Sequence, residues 1–270
     1  MPKQFSINPE KTGWLKNPLR RERRDQSYTL TDKQVLELIK KIKESKNYTK
    51  TPGEHETLLK KRDMALIALA WIFFKRGGEI LSVKLKNVYF NDEELAVTFK
   101  IEKKGKRLKV CPKCKEKNSS RASFCKKCGY PIKDIKVTLI GQKSFVVTKR
   151  MTRKNIFCDY VIDWVELAKK LGCPPDGFIF APYHYLSNSF LWHTPMTIQR
   201  FDQILQGLDP SMSSCMFRYG ATEKYLRLGY TIFELKEIGD WTSSKMPEIY
   251  ARRKGLTPSQ RKFSEDTRMI

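Results

Sequence analysis

From Met64 to Phe74 the chain runs eleven residues without a polar side chain, MALIALAWIFF. A helix apolar on every side belongs in the middle of a domain, so the pattern predicts a buried central helix over about Glu56–Lys75. Eleven apolar residues fall well short of the ~20 needed to cross a bilayer. Ahead of this run, Val35, Leu38, Ile39 and Ile42 recur at helical spacing. Thr31 and Gln34 sit where a capping box starts a helix. Period-two patterning then takes over in LSVKLKNVYF (81–90) and ELAVTFKI (94–101), with NDEE as the turn between them. IKVTLI (135–140) and KSFVVTKR (143–150) read as further strands. Beyond Asn155 the spacing is helical again. DYVIDWVELAKKLG ends on Gly172, a residue suited to a helix C′ position. Helices are expected near 195–207, 217–228 and 231–239, the last opened by a second capping box, Thr231 with Glu234. The fold class expected is α+β, mainly helical, with a small antiparallel sheet.

Cysteine placement adds an inserted module. Cys111-x-x-Cys114 and Cys125-x-x-Cys128 are separated by ten residues. Four thiolates in two such pairs suit one tetrahedral Zn²⁺ and leave no open position, which argues for a structural and not a catalytic ion. Gly129 follows the last cysteine, where such a turn needs a permissive backbone. Strand patterns on both sides place this zinc ribbon, at about 108–133, inside the sheet. The remaining cysteines, Cys158, Cys173 and Cys215, make an odd total of seven, which argues against a disulfide framework and for a reducing compartment.

Charge points to the partner. Lys and Arg number 53 against 29 Asp and Glu, a formal net charge of +24. Such an excess is the footprint of a polyanion, and on charge alone nucleic acid is the partner expected, with a membrane surface or nonspecific basicity as alternatives. The first 27 residues, centred on KNPLRRERR (16–24), read as a basic flexible arm, and 255–270 as a polar tail. With no apolar leader and no membrane span, a soluble cytoplasmic protein is expected.

Candidate chemistry lies at two places. Arg76 closes the apolar run in FFKRGGEIL, and a charge there calls for a partner, with Glu79 three residues on. Downstream stands SSCMFRYGATEKYLRLGYTIFELKEIGDWTSSKMPEIYARRKG (213–255). Together these segments resemble the catalytic signature of the tyrosine recombinases, the phage-integrase family. The resemblance covers about residues 28–254 outside the insert. It maps the family's first Arg onto Arg76, the Arg of its H-x-x-R motif onto Arg218, its His/Trp position onto Trp241 and its nucleophile onto Tyr250. The intervals from Arg218 to Trp241 and from Trp241 to Tyr250 match the family's. Its lysine belongs in IEKKGKR, as Lys104 or Lys103, with Lys106 in the same run and Lys143 on the returning strand left open. Two departures stand out. Cys215 replaces the motif's His, and a buried thiol there is a poor base. Only about 27 residues precede the catalytic region, so the grip on double-stranded DNA is expected from the basic arm, the zinc ribbon or another polypeptide that supplies the family's core-binding domain.

The resemblance implies a tyrosine-recombinase catalytic fold and a site-specific recombinase or integrase. Such an enzyme cleaves and rejoins DNA through a 3′-phosphotyrosyl bond, needs no nucleotide or metal for the chemistry, and works as a tetramer on paired DNA sites. A catalytically impaired DNA-binding protein that kept the fold, and a type IB topoisomerase-like enzyme, are the alternatives.

Overall fold

The computed structural model describes residues 30–46, 48, 53–103, 105–141, 143–241 and 243–253. The basic arm, Lys104 and the C-terminal tail lie outside the described residues, as do the side chains of Lys103, Lys106 and Lys143.

Helix α1 (Asp32–Glu44) opens with the Thr31–Gln34 capping box and buries Val35, Leu38, Ile39 and Ile42. Helix α2 (Glu54–Phe73) is the central element, buried without interruption from Ala65 to Phe73. Helix α1 and α4 (Phe157–Lys170) both pack on it, α4 through Phe157, Val161, Trp164, Val165 and Ala168. The Trp164 indole donates to Ile179 O at 2.8 Å, which satisfies the one polar atom of that side chain inside the core.

One sheet orders its strands β1 (Val88–Phe90), β2 (Glu94–Lys103) and β6 (Lys143–Thr152), all antiparallel. Leu95, Val97, Phe99 and Ile101 alternate inward from β2 and are buried. The stretch 81–90 departs from its strand pattern. It forms the end of a short helix α3 (Gly77–Leu81) and a 3-10 turn (Leu85–Asn87), leaving only three residues of strand. Leu85 N and Lys86 N are taken by Gly177 O and Pro175 O, so tertiary partners replace a ladder there.

A second sheet, β4 (Lys117–Ser119), β3 (Lys106–Val110) and β5 (Thr138–Ile140), frames the cysteines. The segment 135–140 therefore pairs with β3 inside the insert and does not join β6. The sheet reaches from Lys106 to Ile140, wider than 108–133. Among the described residues its buried hydrophobic cluster is Cys111, Cys125 and Ile132, separate from the main core.

After α4 come a short hairpin, β7 (Tyr183–His184) with β8 (Ser189–Phe190), and then α5 (Ile198–Leu208), α6 (Cys215–Arg227), α7 (Ile232–Ile238) and α8 (Lys245–Arg253). Thr231 and Glu234 form the second capping box. Among the described residues no helix is long and apolar enough to cross a membrane.

Candidate active site

The end of α2 sets the site. Phe74 takes a left-handed backbone (φ 36°), which stops the helix and reverses the chain. This turn sends the next two cations in opposite directions. Lys75 goes inward with a fully buried side chain, while the Arg76 side chain is 51% exposed. The buried charge at the end of the apolar run is thus Lys75, not Arg76. Arg76 still pairs with Glu79, Nη1 to Oε1 at 2.6 Å, and its backbone N–H donates to Glu79 Oε2 at 2.9 Å.

Arg218, on α6, meets this corner from the other side. Its Nη1 lies 4.0 Å from Glu79 Oε2 and donates to Phe74 O at 3.3 Å, and its Nη2 donates to Gly239 O at 2.7 Å. The guanidinium carbon stacks 4.1 Å from the Trp241 ring centroid. Trp241 in turn folds back over Gly239, where a Cβ would sit 2.0 Å from a ring carbon, so only glycine fits. The Tyr250 ring lies 6.2 Å from the Trp241 ring and 4.7 Å from that of Tyr219. Arg76, Arg218, Trp241 and Tyr250 come from the α2–α3 junction, α6, the α7–α8 connection and α8, and the fold gathers them in one place.

Burial pulls the Arg218 guanidinium down to about 10, with neighbouring Arg76 acting the same way and Glu79 and Tyr250 opposing. It stays charged at neutral pH. The half-buried Tyr250 phenol is pushed well above its usual value, by desolvation first and by Tyr219 second, with Arg218 pulling it back. Two arginines and a phenol held in this way can grip an anion and present an oxygen to it.

No family model matches the sequence, and no curated relative does. Solved structures do match. The XerH site-specific recombinase bound to difH substrate, in a pre-cleavage complex, aligns at TM-score 0.50 and 11% identity, over 83% of this chain and 49% of that one. XerH bound to palindromic difH substrate, in a post-cleavage complex, aligns at TM-score 0.51 and 14% identity, over 90% and 52%. The chain has the tyrosine-recombinase catalytic fold. It spans about half the length of the recombinase chains it matches.

Within this recombinase fold Cys215 is the first residue of α6 and is exposed as a whole residue, where a buried thiol was expected. Its thiol is nonetheless pushed up, by desolvation first and Asp202 second, so it stays protonated at neutral pH. Lys103 ends β2 opposite Lys143 on β6.

A second polar network was not foreseen in the sequence. Lys149, Lys75 and Arg218 donate to three successive carbonyls, Glu237 O (3.2 Å), Ile238 O (3.1 Å) and Gly239 O (2.7 Å). The next residue, Asp240, is left-handed (φ 51°) and bridges the same two lysines, Lys75 through Oδ2 and Lys149 through Oδ1 at 3.1 Å. Three cations from three elements therefore fix the segment that delivers Trp241. The signal for Lys75 was present as one of two adjacent cations closing an apolar run. For Lys149, one of many strand lysines, there was none.

The four cysteines of the insert also converge. Their sulfurs all lie within 4.8 Å of one another, with Cys111–Cys128 at 3.6 Å and Cys114–Cys125 at 3.5 Å. Four bonds of ~2.3 Å in a tetrahedron put sulfurs about 3.8 Å apart, so the set fits one metal ion. Burial acts to raise the Cys125 thiol, but the Cys128 and Lys127 backbone N–H groups, then Cys114 and Asn118, hold it at about 6. Gly129 takes φ +70° in the second turn, as expected from its position.

Proposed function

We propose that this protein is a site-specific DNA recombinase that cuts and rejoins strands through a 3′-phosphotyrosyl bond at Tyr250, acting as a tetramer on paired sites. The observation that carries it is the meeting of Arg76 and Arg218 on Glu79, with Trp241 and Tyr250 against the second guanidinium. Attack by the phenol on a phosphodiester builds charge on the nonbridging oxygens. The two guanidinium forks would take that charge as it develops, each preorganised donor contributing about 3 kcal/mol. The phenol proton must leave to solvent, because in this protein Cys215 is a poor acceptor for it. A lysine of the β2 end, Lys104 or Lys103, would protonate the departing 5′ oxygen. The bond to Tyr250 conserves the energy of the broken ester, so religation is the reverse of the same step.

A nicked DNA substrate that traps the covalent intermediate tests this. Wild type should form a protein–DNA adduct on denaturing gels, and Tyr250→Phe should form none while binding DNA as before. The second reading, a DNA-binding protein without catalysis, draws on Cys215. It predicts tight DNA binding with no adduct from wild type.

Cys111, Cys114, Cys125 and Cys128 would hold one structural Zn²⁺, which when bound cross-links the two turns of the insert. Three buried apolar residues among those described are far too few for a self-supporting core. Chelation should therefore unfold 106–140 and leave the main core folded. Hydrogen exchange measures it: amides of β3–β5 should lose protection, and those of α2 should keep theirs.

A further inference from the structure

We propose that the cysteine insert is a DNA-gripping surface, binding duplex phosphates that flank the cleaved bond. This deepens the recombinase reading and rests on it. From Lys106 to Ile140 the insert carries eleven Lys and Arg against two acidic residues, Glu116 and Asp134, a formal charge of +9. One Zn²⁺ with four thiolates contributes −2, so +7 remains on 35 residues. That density far exceeds the chain's average of +24 over 270. Only Lys109 among the described basic side chains of the insert is buried, where it donates to Ala122 O and Lys133 O. Its role is internal. The others project outward.

Their arrangement is ordered by the metal-binding turns. Lys113 and Lys127 each immediately precede the second cysteine of a pair, and both are exposed. The closure of the four sulfurs onto one point therefore holds two turns, each carrying an exposed cation, in one module. Arg121 is exposed on the loop between the turns. The same module exposes two aromatic rings, Phe124 (65%) and Tyr130 (41%), on either side of the second turn, tied by Cys125 N to Tyr130 O at 2.8 Å. Cations interleaved with open rings suit a nucleic-acid backbone, the cations meeting phosphate and the rings meeting sugar. A module serving only as a staple has no need of either.

Position gives the reach. Lys149 on β6 touches the Asp240 network, and the insert leaves the sheet at Lys143, six residues along the strand. Lys143 pairs with Lys103, so the insert joins the sheet at the same β2 end from which the proposed lysine works, and the two would face one duplex.

Full-length, metal-loaded protein and a 30-base-pair mixed-sequence duplex provide the test, by titration across a range of salt. The triple variant K113E/R121E/K127E should bind at least tenfold more weakly at 100 mM salt, and its log K against log[salt] slope should be shallower by about two to three, one phosphate each. Phe124→Ala should weaken binding without changing the slope, because it removes a nonionic contact. An exposed pair outside the insert, K154E/K170E, should change binding little. Wild-type affinity and slope in the triple variant would overturn the inference alone, leaving the recombinase reading intact. An equal loss in K154E/K170E would overturn it too, by showing bulk charge. If wild type failed to bind the duplex at all, both readings would fall.

Discussion

Arg76→Ala and Arg218→Ala should each lower the rate of covalent adduct formation by about 10²–10³, yet differ sharply in stability. In the proposed reaction both guanidinium groups hold the same phosphate, and loss of one such donor removes roughly 3–4 kcal/mol of transition-state stabilisation. Their ground-state surroundings are unlike. The Arg76 side chain is half exposed, and Glu79 keeps Arg218 and the Arg76 backbone N–H as partners when it is truncated. Its unfolding free energy should shift by less than ~1 kcal/mol. Arg218 is buried, and its removal orphans Phe74 O and Gly239 O and strips the support from Trp241. Two unpaired buried carbonyls at ~1–3 kcal/mol each should lower stability by several kcal/mol. Arg218→Lys keeps charge but not the planar fork, so it should recover part of the stability and little of the rate. Urea midpoints beside single-turnover adduct kinetics separate the two effects. Equal stability losses in both alanine variants would contradict the asymmetry.

Asp240→Asn should destabilise the protein by about 3–5 kcal/mol, and adding Lys75→Met should recover most of that loss. Asp240 faces Lys75, whose side chain is fully buried, so removing the carboxylate leaves a buried ammonium without a counter-charge. Methionine has similar volume and no charge to strand, so Lys75→Met alone should cost little, with Asp240 still held by Lys149. The same lysine sets a pH dependence. Burial, opposed by Asp240, holds Lys75 at about 8, below its ordinary 10.5. The folded state therefore binds fewer protons than the unfolded state between these values, and stability contributed by this group rises as pH climbs from about 8 to 10.5. Lys75→Met should lack that rise. Denaturant midpoints at pH 7.5 and 9.5 for wild type, both single variants and the double close the cycle. Strict additivity would show that the two residues are not coupled.

The cationic grip on 237–240 also bears on catalysis, since it fixes the segment between α7 and the Trp241 ring. Two left-handed non-glycine residues, Phe74 and Asp240, lie on the two connections that meet there. Backbone strain of this kind persists only where surrounding contacts enforce it. Here Arg218 bonds the carbonyl of one and the residue preceding the other.

Local chemistry made much of this protein legible. Both capping boxes were plain from Thr-x-x-Gln and Thr-x-x-Glu, because the bonds that form them span three residues. The central helix followed from an apolar run, and the cysteine turns from their spacing. Arg76, Arg218, Trp241 and Tyr250 could be named as a set only through the resemblance to the tyrosine-recombinase signature. What their spacing did not carry was orientation. Whether Lys75 or Arg76 turns inward depends on one left-handed φ at Phe74, imposed by packing. The stretch 81–90 alternates like a strand, but backbone partners near Gly177 claimed its N–H groups. Segment 135–140 looks like any strand of the main sheet, and only pairing with β3 placed it in the insert. Lys149 and Asp240, ninety-one residues apart, meet through the register of β6 and the end of α7. Periodicity and short motifs report interactions within a few residues, which the chain encodes locally. Direction of a side chain, partner of a strand and pairing of a charge are settled by groups distant in sequence, and those meet only once the core has closed.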